Sequence, residues 1–197
     1  MDYSHDLNFL STGSLTHIAG IDEAGRGALA GPLVVAAVIL DYDKPITGLN
    51  DSKQLSASTR DKLYEEIVDS AIAYGIIEIS AARVDEINIL QASLEGFVKA
   101  FAALNPKADF ALIDGRDVPA ALSGKALAIV KEDGIHPCIA AASILAKVHR
   151  DRLLTKLDAR YPEYGFARHK GYGTALHYQA LATFGACREH RRTYRLF

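Results

Sequence analysis

Pro32 to Leu40 reads Pro-Leu-Val-Val-Ala-Ala-Val-Ile-Leu, with no polar side chain in it. A run of this kind predicts a strand buried on both faces, so any fold this chain adopts must cover a sheet from two sides. It is the longest apolar stretch in the sequence and far short of the ~20 residues that cross a bilayer. His17 to Asp22 predicts a neighbouring strand, joined to the first through a turn that carries Gly25, Gly27 and Gly31.

Helical periodicity alternates with further strands. Leu63, Ile67 and Ala71 share a face, with Tyr64, Val68 and Ile72 beside it, which predicts a helix over Ser58 to Tyr74. Gly75 should end that helix, and Ile76 to Ile79 should form a strand. Leu90, Leu94, Phe97, Phe101 and Leu104 predict a second amphipathic helix, closed by Asn105-Pro106. Phe110 to Ile113 and Ala126 to Val130 are short apolar strands. A long alanine-rich helix follows from about Ile139 to about Leu157. Tyr161 to Thr174 is loop-like, and Thr174 can cap a last helix reaching about Phe184.

Strands alternating with helices imply a layered α/β core, a mixed sheet flanked by helices. The simplest division is an N-terminal segment over 1–16 with no clear structural signal, a core over 17–160, and a small helical C-terminal extension over 161–197. No internal repeat or low-complexity tract interrupts it.

A net charge of −2 hides a segregation: from Lys147 onward there are 11 Lys/Arg against 4 Asp/Glu, leaving the rest strongly acidic. A nuclease could use such a split, acids gathering metal while cations nearby hold phosphates, but charge alone fits a solvated basic tail equally well. The N-terminus lacks the basic start and apolar core of a secretory signal. Cys138 and Cys187 have neither metal-ligand spacing nor a disulfide framework, so a reducing, cytoplasmic setting is expected, away from any membrane.

Asp22, Asp114 and Asp133 each follow an apolar strand directly or within a few residues. A lone strand-end aspartate more often forms a turn. Several at one sheet end are costly to desolvate and suggest a bound cation. Hard ions such as Mg²⁺ and Mn²⁺ take oxygen ligands, and four carboxylates would roughly neutralise two of them. Such a pair can activate water and stabilise a leaving oxygen. Glu23 would point away from Asp22 in a regular strand. It reaches the same ion if the chain turns there or if its backbone carbonyl serves.

Ile21-Asp22-Glu23-Ala24-Gly25-Arg26-Gly27, followed by Leu29-Ala30-Gly31-Pro32, resembles the opening motif of the bacterial ribonuclease HII family. The likeness continues in order through Leu49-Asn50-Asp51-Ser52-Lys53, Leu112-Ile113-Asp114-Gly115 and Lys131-Glu132-Asp133. It then takes in Ala140 to Val148, Arg150-Asp151, His169-Lys170-Gly171-Tyr172-Gly173-Thr174 and His190-Arg191-Arg192. The match spans roughly residues 17 to 194, and its weight lies in several motifs in one order. Ala28 replaces a usual proline, Glu132 a usual glycine and Arg116 a usual asparagine; an extra carboxylate at Glu132 could alter metal affinity beside Asp133.

The resemblance implies a ribonuclease H-like catalytic core. It implies hydrolysis of the RNA strand of RNA–DNA hybrids and nicking 5′ of single ribonucleotides in duplex DNA, giving 3′-hydroxyl and 5′-phosphate ends. Asp22, Glu23, Asp114 and Asp133 would be the catalytic residues that hold Mn²⁺ or Mg²⁺. Gly25-Arg26-Gly27 would sense the 2′-hydroxyl, the group that distinguishes RNA from DNA. Tyr172 would read the RNA–DNA junction, and Asn50, Lys53, Ser143 and Lys147 would hold phosphates without reading sequence. His169 and His190 take no firm role from the resemblance. Arg188, Arg191, Arg192 and Arg195 make a basic stretch suited to the DNA backbone. A monomer is expected.

Two other readings remain open at this point. One keeps the fold but makes the chain a DNA nuclease or recombinase, which should not depend on a 2′-hydroxyl. The other is a non-catalytic nucleic-acid-binding module with structural carboxylates, disfavoured because anions near phosphates hinder binding unless metal offsets them.

Overall fold

In the computed structural model, which describes residues 1–11, 15–130 and 135–196, the first two apolar runs become β1 (Ile18–Ala24) and β2 (Leu33–Ile39). With β3 (Ala73–Ile79), β4 (Phe110–Asp114) and β5 (Ala126–Ile129) they form a mixed sheet in the order β3-β2-β1-β4-β5. β1 is antiparallel to β2, and β2 to β3, while β1–β4 and β4–β5 are parallel.

Alternate residues of the central strands feed two cores. Ile18, Val34, Ala36 and Val38 pack on one side under α2 (Ala57–Ser70) and α4 (Pro137–Arg160). Ala19, Ile21, Leu33, Val35, Ala37 and Ile39 pack on the other side under α3 (Ala81–Ala103). Both faces are therefore covered, as the apolar runs require. The start of α4 comes close enough to β1 that a Cβ on Gly20 would sit 2.0 Å from the carbonyl carbon of Cys138. Among the described residues no helix is long and apolar enough to cross a membrane.

Several boundaries differ from the sequence expectation. Gly75 does not end a helix: α2 stops at Ser70, and Gly75 lies inside β3, paired with Ala37. The full length of β2 offers a ladder from Leu33 to Ile39, and that pairing extends β3 back to Ala73. α3 begins nine residues before Leu90, with a break at Asn88 (φ 66°, ψ 166°), whose side chain accepts from the Gln91 N–H. A short helix, α5 (Phe166–His169), interrupts the expected loop, and Thr174 does cap α6 (Ala175–Phe184) by accepting from His177 N–H.

The N-terminal stretch also carries structure that its weak apolar pattern did not reveal. Residues Ser4–Ser11 form α1, anchored by the fully buried Asp6. Asp6 accepts from the Cys138 N–H at 2.9 Å and the Tyr42 hydroxyl at 3.0 Å, and its other oxygen lies 2.8 Å from His136 Nδ1. A carboxylate from the far end of the chain thus caps α4, whose own N-cap residue, His136, offers no side-chain bond.

Two buried arginines hold the C-terminal region against the glycine-rich turn. Arg150 donates to the carbonyls of Pro32, Lys170 and Ala30, at 2.9–3.0 Å. Arg191 donates to Gly31 and Arg26 carbonyls, and its own N–H joins the Leu29 carbonyl. Arg191 is fully buried and so is unavailable to a DNA backbone, unlike the exposed Arg188, Arg192 and Arg195. Replacing Arg191 with methionine would leave buried carbonyls unpaired and should cost about 2–4 kcal/mol of stability. Urea unfolding measures this, and a loss near zero would mean water reaches those carbonyls.

Candidate active site

The parallel register of β1 and β4 pairs Ile21 with Ile113, and both pack into the α3 side. One residue further along, the register brings Asp22 beside Asp114, and alternation turns Asp22 towards α4. There Ser143 lies beside Asp22, favouring its charged form, and meets Ser52 Oγ at 2.8 Å. Asp22 Oδ1 also accepts from the Glu23 N–H at 2.6 Å. β1 continues regularly through Glu23 to Ala24, so no turn at Glu23 redirects its side chain. The turn comes at Gly25 (φ 99°), where a Cβ would stand 2.1 Å from Arg150 Nε.

A cavity of about 290 Å³ opens at this strand end. It brings together Asp22, Glu23, Asp114, Gly25, Arg26, Gly27, Lys53, Ser143, Lys147 and Tyr172. Asn50 is not part of its wall. Its Oδ1 accepts from the Asp51 N–H and its Nδ2 donates to Gln54, so it closes its own loop. Lys53 stands on that loop in a 3-10 turn, Ser52–Gln54, capped by Asp51. Lys147 and Ser143 share a face of α4 at the expected spacing of four, and Lys147 Nζ rests on Asp151 at 2.7 Å. Asp133, with Lys131, Glu132 and Gly134, lies outside the described residues.

Ser52 and Asp151 are site neighbours that motif reading passed over. Ser52 sits inside the Asn-Asp-Ser-Lys string, and Asp151 follows Lys147 at an i,i+4 ion-pair spacing, so both had a signal. Arg150 belongs to the matched Arg150-Asp151 pair, but a charged residue in a helix gives no sign of being fully buried. It supports Tyr172 from beneath, with its guanidinium carbon 5.3 Å from the ring centroid.

The acids are under strain. Burial, then the charges of Glu23 and Asp114, push the Asp22 carboxyl well above the usual carboxylate range. Bonds from Ser143 and from the Glu23 N–H oppose that rise. Burial also raises Glu23, and Arg26, bonded to Glu23 Oε1 at 3.1 Å, partly offsets it. Glu23 Oε2 is buried with no hydrogen-bond partner. An oxygen-only donor set with an unsatisfied buried acceptor fits a hard divalent cation. Among the described residues no group of three histidine, cysteine, aspartate or glutamate side chains is gathered closely enough to hold an ion, so Asp22, Glu23 and Asp114 as they stand make only part of a donor set.

With this geometry, the relatives are decisive: the ribonuclease HII family model matches residues 19–197. The chain belongs to the ribonuclease HII family. It is 57% identical over 176 residues to ribonuclease HII 1 of Methylibium petroleiphilum, covering 89% of this chain and 88% of that one. The ribonuclease H2 structure from Pyrococcus horikoshii superposes with a TM-score of 0.76 at 32% identity, covering 92% of this chain and 95% of that chain. The structure of a PCNA:RNase HII complex from Archaeoglobus fulgidus gives 0.78 at 31% identity, over 92% and 96%. Membership makes this protein an endoribonuclease of the ribonuclease H class, acting on RNA–DNA hybrids, and removes the DNA-nuclease, recombinase and non-catalytic readings.

Three acids held in mutual repulsion are arranged against stability. Asp22→Asn should therefore raise the melting temperature of the metal-free protein by a few degrees, on the order of 1 kcal/mol. A lower melting temperature in calorimetry would show that Asp22 is a net stabiliser.

Proposed function

We propose that this ribonuclease HII-family enzyme nicks duplex DNA on the 5′ side of a single embedded ribonucleotide, besides cutting the RNA strand of hybrids. The products would carry 3′-hydroxyl and 5′-phosphate ends. The observation that carries this reading is one cavity in which the Gly25–Gly27 turn and Tyr172 face the Asp22, Glu23 and Asp114 carboxylates.

Asp22, Glu23 and Asp114, together with Asp133, would hold the divalent ions, Mn²⁺ or Mg²⁺. Bound there, the ions would supply the Lewis acidity that activates water and stabilises the departing 3′ oxygen. The Glu23 N–H and the neighbouring Ser143 orient the Asp22 carboxylate, which would be one of the groups that hold the ions. Gly27 leaves open space where a side chain would stand, so a ribose can approach the backbone of the turn. Tyr172, 37% exposed, presents a ring for a deoxyribose and a hydroxyl for the ribose 2′-oxygen. Lys53, Ser143 and Lys147 line the same cavity and suit the phosphates, with Asn50 bracing the Lys53 loop. A phosphate would compete with Asp151 for Lys147 Nζ.

The test is a duplex with one ribonucleotide beside its all-DNA twin. The first should be nicked in Mn²⁺ or Mg²⁺ but not in EDTA, and the second left whole. Asp22→Ala and Asp114→Ala should drop cleavage to background with the fold intact; undiminished cleavage by either would overturn the assignment. Tyr172→Phe should lower kcat about 3–10-fold, the worth of a hydrogen bond of about 1 kcal/mol, with a smaller change in substrate affinity. Equal losses in both would make Tyr172 a packing residue.

A further inference from the structure

His169, His177 and His190 lie buried beneath the Tyr172 loop, at 9%, 0% and 2% exposure. The His169 and His177 rings stack with centroids 4.4 Å apart, and those of His177 and His190 lie 5.2 Å apart. A neutral imidazole has one N–H donor and one acceptor nitrogen, and its partners decide which is which.

Here the backbone decides. The Cys187 N–H donates to His190 Nδ1 at 3.0 Å, so the His190 proton sits on Nε2. That proton faces His177 Nε2, 3.0 Å away, which must accept it. His177 Nδ1 then carries the remaining N–H and donates to the Tyr172 carbonyl at 3.0 Å. A second chain runs alongside. The Gly171 N–H donates to His169 Nδ1 at 3.2 Å, which leaves His169 Nε2–H to donate to the Tyr164 carbonyl at 2.8 Å. Every ring nitrogen is used; main-chain donors fix the tautomers of His190 and His169, and His177 follows from His190 Nε2–H on one side and the Tyr172 carbonyl on the other.

The Tyr172 ring lies over the Arg150 guanidinium and stands 37% exposed at the cavity, so its direction depends in part on how its main chain is held. That main chain is held on both sides: the Gly171 carbonyl accepts from Leu29 and Ala30 N–H, the Tyr172 N–H donates to the His169 carbonyl, and the Tyr172 carbonyl accepts from His177 Nδ1–H and from the Thr174 N–H. Losing the His177 donor would leave the Tyr172 carbonyl with only the bond from the nearby Thr174 N–H, and the glycines on each side would then let the tyrosine shift.

We propose that His177, with its tautomer set by His190, is a positioning residue that fixes Tyr172 over the cavity and thereby serves cleavage at embedded ribonucleotides. The inference rests on the reading of Tyr172 given above. It assigns the histidines no contact with substrate. Their effect should reach kcat through a misplaced tyrosine, while the phosphate contacts that set KM remain.

Two measurements test it. Long-range ¹H–¹⁵N spectra of the wild-type protein at neutral pH should show His177 protonated on Nδ1 and His190 on Nε2; the opposite tautomers would overturn the proposal without any variant. Kinetics on the one-ribonucleotide duplex then compare His177→Leu, His177→Asn, Tyr172→Ala and the His177→Leu/Tyr172→Ala double variant. His177→Leu should lower kcat about tenfold with little change in KM, the scale expected of a small misplacement. His177→Asn, which keeps an N–H donor near the Nδ1 position, should recover most of that loss. The double variant should be no slower than Tyr172→Ala alone. Full additivity, or an Asn variant as slow as Leu, would overturn positioning while leaving the Tyr172 reading standing. An undiminished Tyr172→Ala would instead overturn the Tyr172 reading and this inference with it. Should His177→Leu unfold, His190→Asn takes its place. It keeps the acceptor for the Cys187 N–H but loses the Nε2–H, and it should show the same non-additivity with Tyr172→Ala.

Discussion

Asp22 is a carboxyl held almost wholly out of water, with Glu23 next to it in the chain and Asp114 beside it on the neighbouring strand. Nothing in the hydrophobic effect places it there: the two cores are filled by the apolar residues on either side of β1. The fold tolerates the group because the flanking strands and α4 are packed tightly enough to hold it, and because the Glu23 N–H bonds one oxygen while nearby Ser143 favours the charged form. A protein gains no stability from gathering acids in this way. The arrangement makes sense as a site whose repulsion is relieved by a cation, with the partnerless Glu23 Oε2 pointing to the same need.

The second constraint is the turn that follows. Residues 25–32 leave β1, pass the cavity and return as β2, and a turn so rich in glycine would be loose by itself. Arg150 from α4 and Arg191 from the C-terminal region bond its carbonyls from beneath. Gly171 pairs with its Leu29 and Ala30 amides, so the turn and the Tyr172 loop form one body. The C-terminal extension therefore does more than add positive charge. It braces the turn and the Tyr172 loop that line the cavity.

What the sequence made legible follows from what each feature depends on. The apolar run 32–40 and the helical spacing of residues 90–104 are local patterns, and they place β2 and much of α3 correctly. The strand-end aspartates and the glycine turn were readable as motifs because their chemistry limits which residue types serve. Gly75 misled because glycine ends helices and also permits close packing of a helix on a strand; only the pairing with Ala37 decides between them. Asp6, Arg150 and Arg191 were opaque for a shared reason. Each is a charged residue whose burial depends on partners far along the chain, such as Asp6 on Cys138 and Arg191 on Gly31. His177 was silent for the same reason, since its partners at Tyr172 and His190 are set by the folded loop.

The central proposal is that the crowded acids at the end of β1 contribute the ligands of a cation site centred on Asp22. Titration calorimetry with Mn²⁺ alone, without nucleic acid, measures this directly on the wild-type protein and on Asp22→Asn. The account predicts saturable binding by the wild type and a loss of at least about tenfold in affinity in the variant, from removing one charged ligand. Equal affinity in the two proteins would contradict it, because the ion would then be held somewhere that Asp22 does not reach.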